Sequence, residues 1–138
     1  MTQEDKKVLM VDLCARLPYS VKCHINGDET NTPRILSRIE VDELDGILLN
    51  FWTDREDFLS IQVYLSEVKP YLRPMLSMNE EELREYNYLY AEREDNNEWD
   101  DIKQYYSLID WLNAHHFDYR GLIEKGLALE APKGMYSK

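Results

Sequence analysis

The sequence predicts an α+β fold: an N-terminal helix, a four-stranded antiparallel meander or small barrel, then two longer helices and one short C-terminal helix. Three observations carry this expectation. Apolar residues recur at helical spacing as far as Pro18, alternate with polar ones between Val21 and Leu65, and return to helical spacing after Asn79. Such a change of period along the chain separates a sheet-forming part from a helix-forming part.

Within residues 3–17, Met10, Leu13, Cys14 and Leu17 share one helical stripe, joined by Leu9, and Pro18 ends the helix. The next stretch, "SVKCHIN", places Val21, Cys23 and Ile25 on one face and Lys22 and His24 on the other. Asn26-Gly27 turns the chain into the polar loop "GDETNTP". A second strand over 34–42 carries Ile35, Ile39 and Val41 in phase. Asp45-Gly46 is a hairpin signal, leading to a strand with Ile47, Leu49 and Phe51 inward. A fourth strand alternates through Leu59, Ile61, Val63 and Leu65.

"KPYLRPM" at 69–75 reads as a stiff connector. Pro70 and Pro74 lack an N–H and push the preceding residues to extended backbone, which argues against both helix and central strand. Ser77 and Asn79 each stand three residues before a Glu, so either can open a capping box. The helix that follows reaches about Arg93, with Leu83, Tyr86 and Tyr90 as its inward stripe. Another spans 101–115, with Tyr105, Leu108, Trp111, Leu112 and His115 inward. Asp118 then caps a short helix at 119–125 that Gly126 stops. The expected organisation is one domain over 1–138, with helix and sheet to 68, the proline-rich connector at 69–78 and a helical part from 79.

Composition bounds the function. A chain of 138 residues with 43% apolar side chains, ten tyrosines and three tryptophans can build a core. The net charge of −11 is concentrated: residues 40–57 hold seven acids against Arg55 alone, and residues 79–101 hold ten against Arg84 and Arg93. Direct nucleic-acid binding is therefore not expected, because a phosphate backbone is met with clustered Lys and Arg. With no leader-like run and no long apolar span, the expected location is cytoplasmic, with no membrane association. Gly-rich phosphate loops, a G-x-S-x-G elbow and calcium loops are missing from the sequence. Clusters such as "DREDF" and "DNNEWDD" read as solvated loops.

The chemically densest stretch is "HHFDYRG" at 115–121. His115 and His116 close one helix, where protonated imidazoles suit the helix dipole, and Asp118 opens the next. Adjacent histidines point in different directions on a helix, unlike the i, i+4 pairs that bind zinc. The expected role is punctuation, with no catalytic residue, cofactor or metal. The alternative is a small enzyme or metal protein built on His24, His115, His116 and Asp118. Cys14 and Cys23 are too far apart in sequence for a C-x-x-C site, and each fits as a small hydrophobe.

"LCARLPYSVKC", "VKPYLRPMLSMNEEE" and "SLIDWLNAHHFDYRGLIEKGLALEAPKGMY" resemble an uncharacterised family of small proteins from gut anaerobic bacteria, their phages and mobile elements. The resemblance covers under half of the chain and implies an accessory protein, with no activity or active site to carry over. The expectation is thus a non-enzymatic acidic interaction module. Its partner would be a protein with a basic surface, for instance a nucleic-acid enzyme whose groove it occupies as a charge mimic. Glu81, Glu85, Glu92 and Asp95 are the expected contacts, with Tyr88 and Tyr106, which lie off the inward stripes, as apolar anchors.

Overall fold

The computed structural model describes residues 1–42, 46–52, 61–91 and 98–136. Helix α1 covers Gln3–Arg16, and the strands are β1 (Lys22–Ile25), β2 (Arg34–Asp42), β3 (Gly46–Phe51), β4 (Ile61–Tyr64), β5 (Val68–Leu72) and β6 (Leu129–Glu130). Helices α2 (Glu80–Tyr90) and α3 (Glu98–Ala114) lie between β5 and β6 in sequence. The strands form one open sheet in the order β4-β3-β2-β1-β5-β6, antiparallel except for the parallel β5–β6 pair. The α+β class holds. Among the described residues the sheet has six strands rather than four, and it does not close into a barrel.

Thr2 starts α1 with a capping box shared with Asp5. The buried face of the helix is Leu9, Asp12, Leu13 and Arg16; of the expected apolar stripe, Leu9 and Leu13 are buried, and Leu17 packs at the edge of the core. Cys14 is exposed and Met10 only half-buried. An Asp–Arg pair at i, i+4 takes the inward positions, and a count of apolar residues cannot see it. Strand β1 keeps the expected phase, with Val21, Cys23 and Ile25 buried. In β2 the register slips between Leu36 and Arg38, opposite Phe51 and Asn50. The extra residue, Ser37, donates its hydroxyl to the Asn50 carbonyl at 3.0 Å. This bulge turns both Leu36 and Ile39 to the core, whereas Val41, expected inward, is exposed. The β2–β3 hairpin pairs as expected, although Asp45 lies outside the described residues, as does Leu59 ahead of β4.

The segment read as a connector is instead β5, an interior strand. Pro70 sits opposite Cys23 with its ring buried. Backbone alternation explains why a proline is tolerated there. Glu67 accepts from Asn26 N–H on the β1 side, while Leu72 accepts from Ala131 N–H on the β6 side. Residue 70 shares the parity of Leu72, so the missing N–H faces β6. That strand reaches only Tyr71 and Leu72, so no ladder bond is lost.

Asn79, with Glu82, forms the capping box that opens α2. The helix ends at Tyr90, short of Arg93, and its inward residues are Glu82, Tyr86 and Leu89. Leu83 and Tyr90, expected inward, are exposed. On α3, Leu108 and Leu112 are buried and Trp111 half-buried, but Tyr105 faces solvent. No helix forms at 119–125. Gly121, at φ +73°, interrupts the backbone, leaving a single turn closed at Gly126, where Leu127 N–H reaches the Leu122 carbonyl. One apolar cluster lies between the sheet, α1 and Leu122–Ala128. A second gathers Leu108, Leu112 and Phe117 with Tyr86, Leu89 and Trp111.

Leu72 is wholly buried in the first cluster. Leu72→Ala should lower stability by about 2–5 kcal/mol, as for a leucine in a packed core, read from the urea denaturation midpoint. An unchanged midpoint would mean that β5 is not part of the sheet in solution.

Candidate functional site

The HHFD stretch is where the sheet and the helical part meet. Helix α3 closes with Phe117 N–H donating to the Leu112 carbonyl and His116 N–H to that of Asn113. His116 thereby takes the left-handed position, φ +62°, that glycine usually fills in this motif. The surroundings offset the strain. Its carbonyl accepts from Arg73 N–H at 2.8 Å, and its ring stacks on Tyr136 with centroids 3.7 Å apart. Burial, reinforced by Arg16, Arg73, His115 and Lys22, pushes the imidazole down to about 4. His116 is therefore neutral at physiological pH and not the helix-end cation expected. His115 does cap the helix: its Nδ1 lies 2.8 Å from the Trp111 carbonyl, and its ring packs on that indole.

Two arginines hold this junction. Arg16 donates through Nε and Nη2 to Asp12 at 2.8 and 3.2 Å, and through Nη2 to the Phe117 carbonyl at 2.6 Å. Both side chains are completely buried. Arg120 adds a contact of 3.3 Å to Asp12. On the other side, Arg73 makes a two-pronged pair with Glu82 at 2.7 and 2.6 Å, and its guanidinium lies 4.2 Å from the centre of the Phe117 ring. That pair holds the Glu82 carboxyl below the usual carboxylate range, and the Asn79 N–H adds to it.

These arrangements account for the residues of the alternative site. Asp118 accepts the N–H groups of Leu122 and Ile123 at 2.8 and 3.0 Å, so its oxygens cap a turn rather than a helix. His24 sits on β1, edge-on to Tyr71. Among the described residues, no three His, Cys, Asp or Glu side chains gather as a ligand set. Burial, followed by the Asp12 charge, drives the Cys23 thiol far above its ordinary range, so it does not act as a thiolate nucleophile. Tyr136, which the sequence reading overlooked, reaches between two strands. Its hydroxyl accepts from Lys22 N–H at 3.0 Å and donates to the Tyr71 carbonyl at 2.8 Å. Burial raises its pKa well above the ordinary phenol value.

The antiparallel α2–α3 pair presents a different surface. Glu80, Glu81, Asp101 and Asp110 are exposed on these two helices, and Tyr88, Tyr90, Tyr105 and Tyr106 each show about two-thirds of their surface. Tyr88 and Tyr106 are thus exposed, as their phase predicts, and Tyr90 and Tyr105 are exposed as well. Glu85, expected as a contact, instead accepts from Trp111 Nε1 at 2.8 Å and ties the two helices together. Glu92 and Asp95 lie outside the described residues. No helix among the described residues is long and apolar enough to cross a membrane. No protein-family model, curated protein or solved structure matches the chain.

Two predictions follow from the junction. Arg16→Ala leaves buried Asp12 with only the 3.3 Å contact to Arg120 and should lower stability by about 3–5 kcal/mol, while Asp12→Leu combined with Arg16→Met should recover most of that loss. Equal losses in the two variants, measured by urea denaturation, would contradict this account. The second concerns pH. Because the folded pKa of His116 lies below the ordinary 6.5, the unfolded chain takes up that proton first as pH falls. The stabilising contribution is complete above 6.5 and declines towards 4, by about 2 kcal/mol between pH 7 and pH 5. His116→Asn, which tolerates the left-handed backbone, should flatten the midpoint across that interval; an unchanged slope would assign it to other groups.

Proposed function

We propose that this chain is a non-enzymatic interaction module, and that its α2–α3 surface binds a protein with a basic face. The observation that carries this reading is the exposure of four tyrosines and of the acids Glu80, Glu81, Asp101 and Asp110 on one helical pair. Tyrosine supplies rigid contact area at low entropic cost, and carboxylates around it steer a cationic partner and set its orientation. The residue group for the alternative, an enzyme or metal protein, is committed to backbone caps and stacking, which favours the interaction reading. An accessory role in a bacterium, phage or mobile element remains part of the proposal, on the sequence resemblance alone.

The test spares Glu85, because it holds Trp111. Glu80→Lys, Glu81→Lys and Asp101→Lys are combined with Tyr88→Ala, and the fold is verified by its denaturation midpoint. Wild type should retain basic proteins from a bacterial lysate at low salt and release them as salt rises, since exposed charges are screened over about 8 Å at physiological ionic strength. The variant should retain them several-fold less, as quantified by mass spectrometry. Retention of the same proteins by both across the salt series would remove this surface from the binding.

A further inference from the structure

A groove of about 550 Å³ opens between the first turns of α1 and the β3–β4 end of the sheet. Lys6, Lys7 and Met10 line it from the helix, and Ile47, Tyr64 and Leu65 from the sheet side. These α1 positions form a stripe beside the buried one, so a single helix contributes to the core and to the groove at once. Among the described residues the lining holds no carboxylate. Among the described residues neither lysine has an ion pair, although the chain as a whole carries −11. Of the two acids in the first turn of α1, Glu4 and Asp5, the second is taken by the Thr2 cap. Val41, opposite Ile47 in the β2–β3 pair, is 71% exposed, so apolar sheet surface continues uncovered beside the groove.

We propose that this groove binds a free medium-chain carboxylate, with its tail on Met10, Ile47 and Leu65 and its head between Lys6 and Lys7. The volume lies within the range of about 300–1,000 Å³ usual for small-molecule sites. Charge complementarity selects the head group. Two lysines are mobile point charges that suit a monoanion, whereas a phosphate site typically draws on an arginine fork or a nest of backbone N–H groups. Lys6 is half-buried, so its aliphatic stem extends the apolar wall while its ammonium remains at the rim. The inference is independent of the α2–α3 surface.

Isothermal titration calorimetry of the full chain with decanoate and with decanol tests it. Decanoate should saturate at one per chain, and decanol, which has the same tail without the charge, should bind more weakly. Lys6→Glu with Lys7→Glu should weaken decanoate by roughly tenfold or more, as for loss of charge-assisted contacts, while leaving decanol binding and the denaturation midpoint in place. Absence of saturable decanoate binding, or equal binding by the variant, would overturn the proposal. So would binding to anionic phospholipid vesicles without binding to free decanoate, which would make the occupant a membrane. A wild-type dimer that the double variant dissociates and decanoate does not would make it a second copy of the chain.

Discussion

The structure turns on a buried charge pair whose third partner is a backbone carbonyl. Asp12 and Arg16 lie on the face that α1 turns inward, where neither touches water. Isolated charges would be strongly destabilising there, so the two side chains must meet. Arg16 also donates to the Phe117 carbonyl, 101 residues away in sequence. The rotation of α1 about its axis, the depth at which it sits and the path of the chain after α3 are thereby set together. A hydrophobic face alone would tolerate sliding; a guanidinium with fixed donor directions does not.

Phe117 is the point on which the two arginines converge. Arg16 holds its carbonyl, Arg73 covers its ring, and the flanking peptide groups of His116 and Asp118 pair with the Arg73 backbone. Arg73 follows β5 directly and also grips Glu82, which with Asn79 caps α2. The sheet, the start of α2 and the end of α3 are thus joined through one short length of chain. The stretches around Arg16, Arg73 and Phe117 were singled out in the sequence separately. In the fold they are neighbours.

The sequence disclosed the elements better than their faces. Local signals with a defined geometry were legible: the end of α1 near Pro18, the phase of β1, the Asn79 cap and the stop at Gly126. Faces were lost wherever the inward residue was polar or the period was broken. Asp12 and Arg16 joined Leu9 and Leu13 on the buried face of α1 while Cys14 turned outward, and the extra residue at Ser37 reversed β2 midway. Pro70 concealed a strand, because its acceptability depends on how far β6 extends, which is a tertiary fact. In the candidate site, Tyr88 and Tyr106 could be placed outward from their phase. The role of Glu85 could not, since it depends on which indole α3 brings alongside.

The Tyr136 hydroxyl occupies the place where the ladder between β1 and β5 would make its next direct bond. The register that sets Cys23 against Pro70 brings Lys22 opposite Tyr71, and the phenol spans the two backbones there. A strand pair within residues 22–72 is therefore finished by a side chain 114 residues after Lys22. During synthesis, β1 and β5 emerge and can meet well before residue 136 leaves the ribosome. Until then the Lys22 amide and Tyr71 carbonyl stay solvated, and His116 lacks the ring on which it stacks. Completion of the sheet and burial of that histidine therefore become one late event in the life of the chain, after translation has passed every other strand.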